Sequence, residues 1–306
     1  MSSVKESNSR VPDFYVVGAA KAGTTSLWHY LKQHPGLFLV SDFKHKELAY
    51  FASDHGMSNR DQYTSFFKEA NPNQLIGEVC NSYLTDLKSA TLIKEEVPKA
   101  KIIIILRDPI QRAKSLWRWM LQEGYETIDD FNMALIEEEN RINDSEFKQN
   151  NAHGNYWNFM YKASGLYYNQ VKRYYDVFGK DNCFVCLFDE LESNTESLMQ
   201  RMYNFLELKE EHIQIEYKIQ NVSGSVRFPK FQRFLRQTAP KIRDKMSLPK
   251  GLLSKPINYL LKKNKTNKKQ KISLDKEILN SIESYFREDI NKTAKLIDKD
   301  LSKWLK

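Results

Sequence analysis

Apolar and polar positions in the first third of the chain alternate between two patterns. Residues 14–17 form a short apolar run that ends at Gly18, and Leu75–Val79 and Lys101–Leu106 are two further runs, the last reading KIIIIL. Continuous apolar runs of this length are typical of strands that are buried on both faces. The pattern therefore predicts a parallel sheet, because the segments between the runs have helical periodicity.

Helical signals follow each of these strands. Residues 24–33 place Leu27 and Leu31 on one face, and Asp108 and Pro109 suit the N-cap and first position of a second helix that runs toward Gly124. A long helix at residues 165–178, a strand at Cys183–Leu187 and an amphipathic segment at residues 274–297 complete the pattern. We expect one α/β domain over residues 1–306, with a mostly helical, basic C-terminal part.

The N-terminus offers no targeting signal. Residues 1–10 read MSSVKESNSR and lack the apolar stretch of a signal peptide, so we expect residues 1–11 to be flexible. The longest aliphatic run, at residues 102–106, is too short to span a bilayer. The sequence predicts a soluble, cytoplasmic chain without a transmembrane segment.

Positive charge is concentrated in one part of the chain. The formal net charge is +8, and residues 241–271 hold eleven Lys or Arg residues against one acidic residue, Asp244. Such a segment is able to bind an anionic polymer, nucleic acid or a membrane surface. For the stretch KKNKTNKK at residues 262–269, a solvated and partly flexible loop is an equally good interpretation.

The three cysteines, Cys80, Cys183 and Cys186, are too few for a disulfide framework. Cys183 and Cys186 are spaced as C-x-x-C, but they lie in the apolar run NCFVCLF. Residues three apart in a strand point to opposite faces, so the two thiols would not grip one metal. We expect buried, small apolar side chains here.

A loop of small residues joins the first predicted strand to the first predicted helix, in FYVVGAAKAGTTSL at residues 14–27. This arrangement directs backbone N–H groups and the positive helix end at one point, which suits a phosphate. Two glycines permit tight turns and close approach of an anion, and a lysine adds positive charge. The predicted phosphate loop comprises Gly18, Ala20, Lys21, Ala22, Gly23, Thr24, Thr25 and Ser26.

The position of the lysine separates this loop from the Walker A pattern, G-x-x-x-x-G-K-[ST]. Gly18 and Gly23 have the Walker spacing, but Thr24 follows the second glycine and Lys21 precedes it by two residues. The loop instead resembles the 5′-phosphosulfate loop of sulfotransferases that use 3′-phosphoadenosine 5′-phosphosulfate (PAPS). A small-residue turn capped by threonine is the alternative, and it explains neither Lys21 nor three consecutive hydroxyls.

A second loop, LRDPIQRAKSLWRW, begins at the end of Lys101–Leu106. It resembles the sulfotransferase pattern Arg-[Asn/Asp]-Pro…Arg-Ala…Ser, and the resemblance implies that Arg107 and Ser115 bind the 3′-phosphate. Arg107 follows the carboxyl end of a strand, where α/β proteins bind ligands, and a guanidinium matches phosphate oxygens. The alternative is a local pair of Arg107 with Asp108 beside an ordinary helix cap.

The resemblance spans nearly the whole chain. KHKELAYF at residues 44–51, IGEVCNSYL at residues 76–84 and DKDLSKWL at residues 298–305 are similar to segments of carbohydrate (heparan-sulfate-like) and bacterial sulfotransferases. One departure is the VCN of the second segment, which replaces polar residues and a proline that are often present. The segment QNVSGSVRFPK at residues 220–230 resembles the loop that closes over the nucleotide, which implies that Arg227 contacts a phosphate.

The resemblance also implies a mechanism of in-line sulfuryl transfer without a metal. Lys21 would neutralise the charge that builds on the departing phosphate. Glu47 is the candidate general base, because carbohydrate sulfotransferases use a glutamate in the matching segment, and His45 is the competing base. Glu78 is interpreted as structural or as a contact to acceptor or lysine.

The acceptor is the least determined part of this interpretation. We expect a hydroxyl or amine, on a carbohydrate or another small molecule, with no nucleic-acid partner. Tyr125, His153, Tyr156 and Trp157 are candidates for stacking on a sugar, or else packing residues. Two other functions stay open at this point: a P-loop nucleotide kinase or NTPase, and a non-enzymatic binder of anionic polymers.

Overall fold

A parallel sheet forms the centre of the fold. The computed structural model describes residues 10–53, 56–151, 156–208, 215–217, 225–238, 245, 250–266 and 272–305. Within them, five strands pair in the order β2-β3-β1-β4-β5, and every pairing is parallel. The strands are β1 (Phe14–Gly18), β2 (Leu37–Leu39), β3 (Leu75–Val79), β4 (Lys101–Leu106) and β5 (Cys183–Leu187).

Burial of the strands on both faces agrees with their apolar sequences. All five residues of β1 are buried, and in β4 only the first residue, Lys101, is partly exposed. The register places Phe14 opposite Gly77, and a Cβ atom at Gly77 would lie 2.1 Å from the Phe14 ring. The sheet therefore has no room for a side chain at this position of β3. The sequence did not predict β2, which has only three residues.

Helices cover both faces of the sheet, as the sequence predicted. The predicted first helix ends at Leu31, two residues early, and the predicted helix at residues 165–178 begins at Tyr167. The helices are α1 (Thr24–Leu31), α2 (Arg60–Ser65), α3 (Ser89–Glu96), α4 (Pro109–Gln122), α5 (Phe131–Asn143), α6 (Ser145–Asn150), α7 (Tyr167–Phe178), α8 (Phe188–Ser193), α9 (Thr195–Phe205), α10 (Pro229–Arg233), α11 (Lys250–Asn264) and α12 (Lys276–Ile297).

The start of α4 follows the predicted capping. The Asp108 carboxylate accepts hydrogen bonds from the backbone N–H groups of Ile110, at 2.8 Å, and Gln111, at 3.0 Å. Pro109 occupies the first turn, where its missing N–H costs nothing. The cap fixes the point at which the chain leaves β4, and it thereby fixes Arg107.

The described residues of the basic C-terminal segment include regular secondary structure. Strands β6 (Ser225–Val226) and β7 (Lys265–Thr266) pair antiparallel, and the Asn264 amide donates to the Phe228 carbonyl at 3.0 Å. Lys262 and Lys263 lie in α11, so the loop interpretation is wrong for this half of KKNKTNKK. The helix forms because Leu261 and Asn264 are buried on its packed face. Residues 267–271 lie outside the described residues.

Two further expectations concern the N-terminus and the cysteines. Of residues 1–11 the structure describes the last two, and the Arg10 guanidinium donates to the carbonyls of Asn71 and Gln74 at 2.9 and 2.7 Å; the expected flexibility remains a prediction. Residues 1–9 lie outside the description. Cys183 and Cys186 are buried in β5, and burial raises the pKa of the Cys183 thiol to about 12. Among the described residues, no helix has the length and apolar character needed to cross a membrane.

Candidate active site

The two predicted loops meet at the carboxyl edge of the sheet. They follow β1 and β4, which are neighbours at its centre, so both chains leave the sheet at the same edge. The Arg107 guanidinium donates to the Lys21 carbonyl at 3.0 Å and so joins them directly. Lys21 and Arg107 are far apart in sequence, and the order of the strands in the sheet brings them together.

The phosphate loop has the backbone of an anion site. Lys21 and Gly23 both adopt left-handed conformations, with φ of 66° and 101°. A Cβ at Gly23 would lie 2.9 Å from Leu191, so glycine is needed both for the turn and for the packing. No side chain of the described residues caps the start of α1. The first N–H groups of the helix thus face the loop without a side-chain acceptor.

Some of the other residues of the phosphate loop are buried, and some are accessible to solvent. Gly18 and Ala22 are buried in the core, whereas Ala20 and Thr25 are partly exposed. Thr24 and Ser26 are buried, and the Ser26 hydroxyl hydrogen-bonds the Tyr30 side chain. Of the three predicted hydroxyl donors, Thr25 is therefore the most open to a ligand.

Lys21 lies among charges that alter its ionisation. Its pKa is lowered from 10.5 to about 8, first by burial and then by the neighbouring Arg107 guanidinium; Glu47 opposes this shift. The Lys21 ammonium also lies 5.6 Å from the centroid of the Trp119 ring. The site therefore gathers two cations that repel each other, which is the arrangement an anionic ligand stabilises.

Glu47 is brought to this site and held there. The Asn81 side-chain amide donates to both Glu47 oxygens, at 2.8 and 2.9 Å, and the buried Lys46 ammonium donates to one of them at 2.6 Å. The Glu47 side chain stays 35% exposed, so one side of the carboxylate is open to an acceptor. The structure thus combines Glu47, Lys46 and Lys21 in one electrostatic cluster.

His45 occupies a different environment. Its Nδ1 atom lies 2.9 Å from an oxygen of Asp42, and its ring packs 5.0 Å from the Phe66 ring. Both members of the pair are about half exposed. This geometry favours Glu47 over His45 as the base, and the choice between them remains a prediction.

Glu78 is structural. It is buried in β3 and accepts hydrogen bonds from the hydroxyls of Tyr63, at 2.7 Å, and Tyr83, at 2.8 Å. Burial is the largest influence on this carboxyl and raises its pKa to about 7. The carboxyl joins β3 to α2 and lies within the core rather than in an open site.

Of the predicted 3′-phosphate residues, Arg107 directly follows β4 and Ser115 lies in α4. The Arg107 guanidinium carbon lies 4.2 Å from the centroid of the Phe188 ring, and the Tyr167 hydroxyl donates to the Arg107 carbonyl at 2.8 Å. Ser115 is buried one turn before Arg118, whose pKa is lowered by burial and by Arg107. Arg107 and Arg118 therefore form a cationic pair, and Arg107 contacts the phosphate loop.

The backbone of Arg227 is held in position, whereas its side chain is exposed. The residue directly follows β6, and its N–H donates to the Asn264 carbonyl at 2.9 Å. Strand β6 packs against α4, the helix that carries Ser115. A contact from Arg227 to a bound phosphate remains a prediction.

Sequence reasoning missed four residues that line the site: Asn81, Arg118, Trp119 and Phe188. Arg118 and Trp119 lie three and four residues after Ser115, so the helical period of α4 was a signal that could have found them. Asn81 was noticed only as a departure from a family pattern. Phe188, which begins α8, carried no signal because its contact with Arg107 depends on the position of β5.

Together these features define a class of protein. A parallel sheet with an uncapped helix start, a loop lysine and an arginine at adjacent strand ends is typical of an α/β protein that binds a phosphorylated ligand. The chain matches the family model described as "Sulfotransferase domain" over residues 11–294. The chain therefore belongs to the sulfotransferase family.

Individual relatives agree with this membership. The chain is 32% identical over 118 residues to "Membrane-associated sulfotransferase kil1" of Dictyostelium discoideum, an alignment that covers 37% of this chain and 24% of that protein. It is 31% identical over 120 residues to "Bifunctional heparan sulfate N-deacetylase/N-sulfotransferase 3" of Homo sapiens, covering 38% of this chain and 14% of that protein. The alignments thus span a quarter or less of these curated relatives.

A solved structure shares the fold. A sulfotransferase from Alicyclobacillus acidocaldarius superimposes with a TM-score of 0.71 at 24% identity, covering 97% of this chain and 100% of that one. The sulfotransferase family and the α/β fold predicted from the sequence are confirmed. Membership of this family does not support the nucleotide-kinase alternative. The cytoplasmic location and the single-domain boundaries remain predictions.

Proposed function

We propose that this chain transfers the sulfuryl group of PAPS to a hydroxyl or amine of a carbohydrate acceptor. The observation that carries the proposal is the junction of Lys21 and Arg107, two cations from loops at adjacent strand ends. Each of them belongs to a motif that resembles a phosphate site of sulfotransferases. Their mutual repulsion makes an anionic ligand favourable at this position.

The residues present fit a nucleotide with two separate phosphate groups. The uncapped start of α1, with Lys21 and Thr25, suits the 5′-phosphosulfate, and Arg107, Ser115 and Arg118 suit the 3′-phosphate. The aromatic rings of Trp119 and Phe188 lie against Lys21 and Arg107, respectively, and limit access of water to both charges. The site therefore offers cations and backbone donors in two groups.

The chemistry assigned to the side chains is positioning, charge neutralisation and proton removal. PAPS supplies an activated sulfuryl group whose bond to a phosphate oxygen breaks as the bond to the acceptor forms. Lys21, when protonated, neutralises the charge on the departing phosphate. Glu47 accepts the proton that the acceptor hydroxyl or amine loses, an effect of about a hundredfold or more for a positioned base.

Carbohydrate is the acceptor class that the relatives and the site both favour. The curated relatives include proteins named for heparan sulfate N-sulfotransferase activity. In the structure, the exposed Tyr125 ring lies 6.1 Å from the Trp119 ring, next to Lys21. Tyr156 and Trp157 contact each other and pack on the core, and His153 lies outside the described residues. Trp119 and Tyr125 are thus the better candidates for stacking on a sugar ring.

A thermal-shift titration tests the nucleotide half of the proposal. The desulfated product, 3′-phosphoadenosine 5′-phosphate, is compared with ADP and ATP, with and without Mg²⁺. At a hundred times its dissociation constant it should stabilise the fold by roughly 2.7 kcal/mol without metal. The stabilisation should be lost in Lys21→Ala and Arg107→Ala and retained in Lys172→Ala, which removes an exposed lysine of α7. Stabilisation only by ATP with Mg²⁺ would overturn the proposal.

Transfer from radiolabelled PAPS tests the acceptor half. Desulfated heparan-type polysaccharide, with free hydroxyls and amines, is compared with the same polymer whose amines are acetylated. Labelling of both indicates an O-acceptor, and labelling of the first alone indicates an amine. Transfer to neither polymer, in an enzyme that binds the nucleotide, would contradict the carbohydrate assignment and retain the sulfotransferase.

A further inference from the structure

Three phenylalanines lie exposed in and beside α10. The exposed fractions of Phe228, Phe231 and Phe234 are 66%, 40% and 46%. Their spacing of three residues places them on one side of the α10 segment. We name Phe228, Phe231 and Phe234 the phenylalanine face.

The opposite side of the segment fixes this orientation. Gln232 is fully buried; its side-chain amide donates to the Gln122 carbonyl of α4 at 2.8 Å and its side-chain oxygen accepts from Asn264 at 2.9 Å. Leu235 is buried next to it. Rotating the segment to hide the phenylalanines would break both hydrogen bonds and expose Leu235. The phenylalanine face is therefore directed outward by the packing of the fold.

The described segments that carry this face and α11 are basic. Residues 225–238, 245 and 250–266 contain no aspartate or glutamate. Arg236 and Lys265 pair with Glu123 of α4. The other cations with exposed side chains in these ranges are Arg227, Lys230, Lys245, Lys255, Lys262 and Lys263. Helix α11, which Asn264 links to α10, also exposes Tyr259, with 64% of its surface accessible.

From this combination we infer that the phenylalanine face docks on an anionic lipid bilayer. A bilayer removes aromatic side chains from water at the boundary between headgroups and acyl chains, and its anionic lipids attract the neighbouring Lys and Arg side chains. An acidic polysaccharide would satisfy the cations, but it offers no apolar layer in which three phenylalanines are buried. Lysine side chains can extend along the surface while their apolar stems stay near the aromatic rings.

The docking would be peripheral, and it is independent of the proposed function. The Phe228 backbone is held by Asn264, and Gln232 ties α10 to the end of α4, whose middle carries Ser115, Arg118 and Trp119. The membrane contact would thus be attached to the helix that lines the candidate active site. Acceptors at a membrane surface would come within reach of the site as a consequence.

Vesicle flotation with the full chain, without nucleotide, tests the inference. Vesicles of phosphatidylcholine with phosphatidylserine are compared with vesicles of phosphatidylcholine alone. We expect binding to the anionic vesicles, and at least a tenfold loss of affinity in the triple variant F228S/F231S/F234S. The matched control is M133S/I136S/I142S, which removes three exposed apolar side chains from α5, where Glu137 and Glu139 supply acidic neighbours. This control should bind like the unaltered chain.

A second variant tests how much charge contributes to vesicle binding, separately from the insertion of apolar side chains. K255E/K262E/K263E should lose the preference for anionic vesicles, while retaining stabilisation by 3′-phosphoadenosine 5′-phosphate if the proposed function holds. Unaltered vesicle binding in F228S/F231S/F234S would overturn the inference. So would binding to soluble heparin with no binding to vesicles, an outcome that would assign the cations to an acidic polymer instead.

Discussion

The reactive groups of the candidate site owe their properties to their immediate neighbours. Arg107 and burial make Lys21 easier to deprotonate, and Glu47 partly opposes them. Asn81 and Lys46 hold the Glu47 carboxylate from two sides. A lysine with a lowered pKa and a carboxylate with a fixed orientation are therefore properties of the cluster, and both are open to measurement.

The first prediction concerns the alkaline limb of the pH–rate profile. Lys21 acts in its protonated form, and its pKa in the free protein is lowered to about 8. The value of kcat/KM for PAPS should therefore fall as pH rises above about 8, because kcat/KM reports ionisations of the free enzyme. Glu123→Gln removes a negative charge that raises this pKa, so the fall should begin at lower pH. A profile that stays flat to about pH 10, near the ordinary pKa of lysine, would contradict the assignment.

The second prediction concerns Asn81 as a positioning residue. Asn81→Ala should lower kcat about tenfold, because Glu47 loses the group that orients it, and should leave stabilisation by 3′-phosphoadenosine 5′-phosphate unchanged. Asn81→Asp places a like charge beside Glu47 and should move the acidic limb of the kcat profile to higher pH. Equal losses of nucleotide binding, stability and kcat in Asn81→Ala would indicate a structural role instead.

Among the secondary-structure elements, β3 and α4 organise most of the site. Strand β3 ends at Val79, two residues before Asn81, and carries Glu78, whose carboxyl accepts a hydrogen bond from Tyr63 of α2. Helix α4 presents Ser115, Arg118 and Trp119 over one turn, and its last residue, Gln122, binds α10. Each element thus connects the site with a distant part of the fold.

The third prediction concerns the buried carboxyl of β3. The folded-state pKa of Glu78 is raised from 4.5 to about 7, so the folded state holds the proton more tightly than the unfolded state. This contribution to stability is complete below about pH 4.5 and is lost as pH rises to about 7, with a size on the order of 3 kcal/mol. Glu78→Gln, which mimics the neutral acid, should lose less stability over this interval.

Urea unfolding of both proteins at about pH 5 and pH 7.5 measures this difference. The comparison between the two proteins cancels the contributions of the other titrating groups, because they are shared. Parallel pH dependence of the two unfolding free energies would show that Glu78 is already ionised in the folded protein near pH 5.

For the whole molecule, the C-terminal segment braces the active-site edge of the sheet. The Trp304 ring packs 6.1 Å from the Tyr167 ring, and the Tyr167 hydroxyl donates to the Arg107 carbonyl. The Asp289 carboxylate of α12 accepts from the Tyr167 N–H at 2.7 Å, and Lys299 pairs with Glu190 of α8 at 3.1 Å. The C-terminal residues therefore help to hold Arg107 in place through their contacts with Tyr167.

The fourth prediction follows from this bracing. Trp304 is buried, so Trp304→Ala should lower the free energy of unfolding by about 3–5 kcal/mol, as expected for a large aromatic side chain replaced by alanine. Lys303→Ala is the matched control, since Lys303 is exposed in the same turn. Urea unfolding measures both. A change below about 1 kcal/mol in Trp304→Ala would mean that the C-terminal turn is not part of the cooperative fold.

The sequence by itself determined the parts of this protein that depend on local patterns. Strands β1, β3, β4 and β5 were predicted because continuous apolar runs report burial on both faces, and α4 was predicted from its Asp-Pro cap. The phosphate loop and Arg107 were recognised because each motif is contiguous in sequence. The position of both loops after strands was enough to place them at one edge of the sheet.

Only the tertiary structure decided what depends on residues far apart in the chain. The three-residue strand β2 is stabilised by pairing with β3. Helix α11 is stabilised by the burial of Leu261 and Asn264, which its basic sequence does not indicate. The Glu47–Asn81 contact, the lowered pKa of Lys21 and the contact of Phe188 with Arg107 all arise where separate loops converge. Burial and electrostatic coupling act between neighbours in space, and the order of the strands in the sheet decides which residues those are.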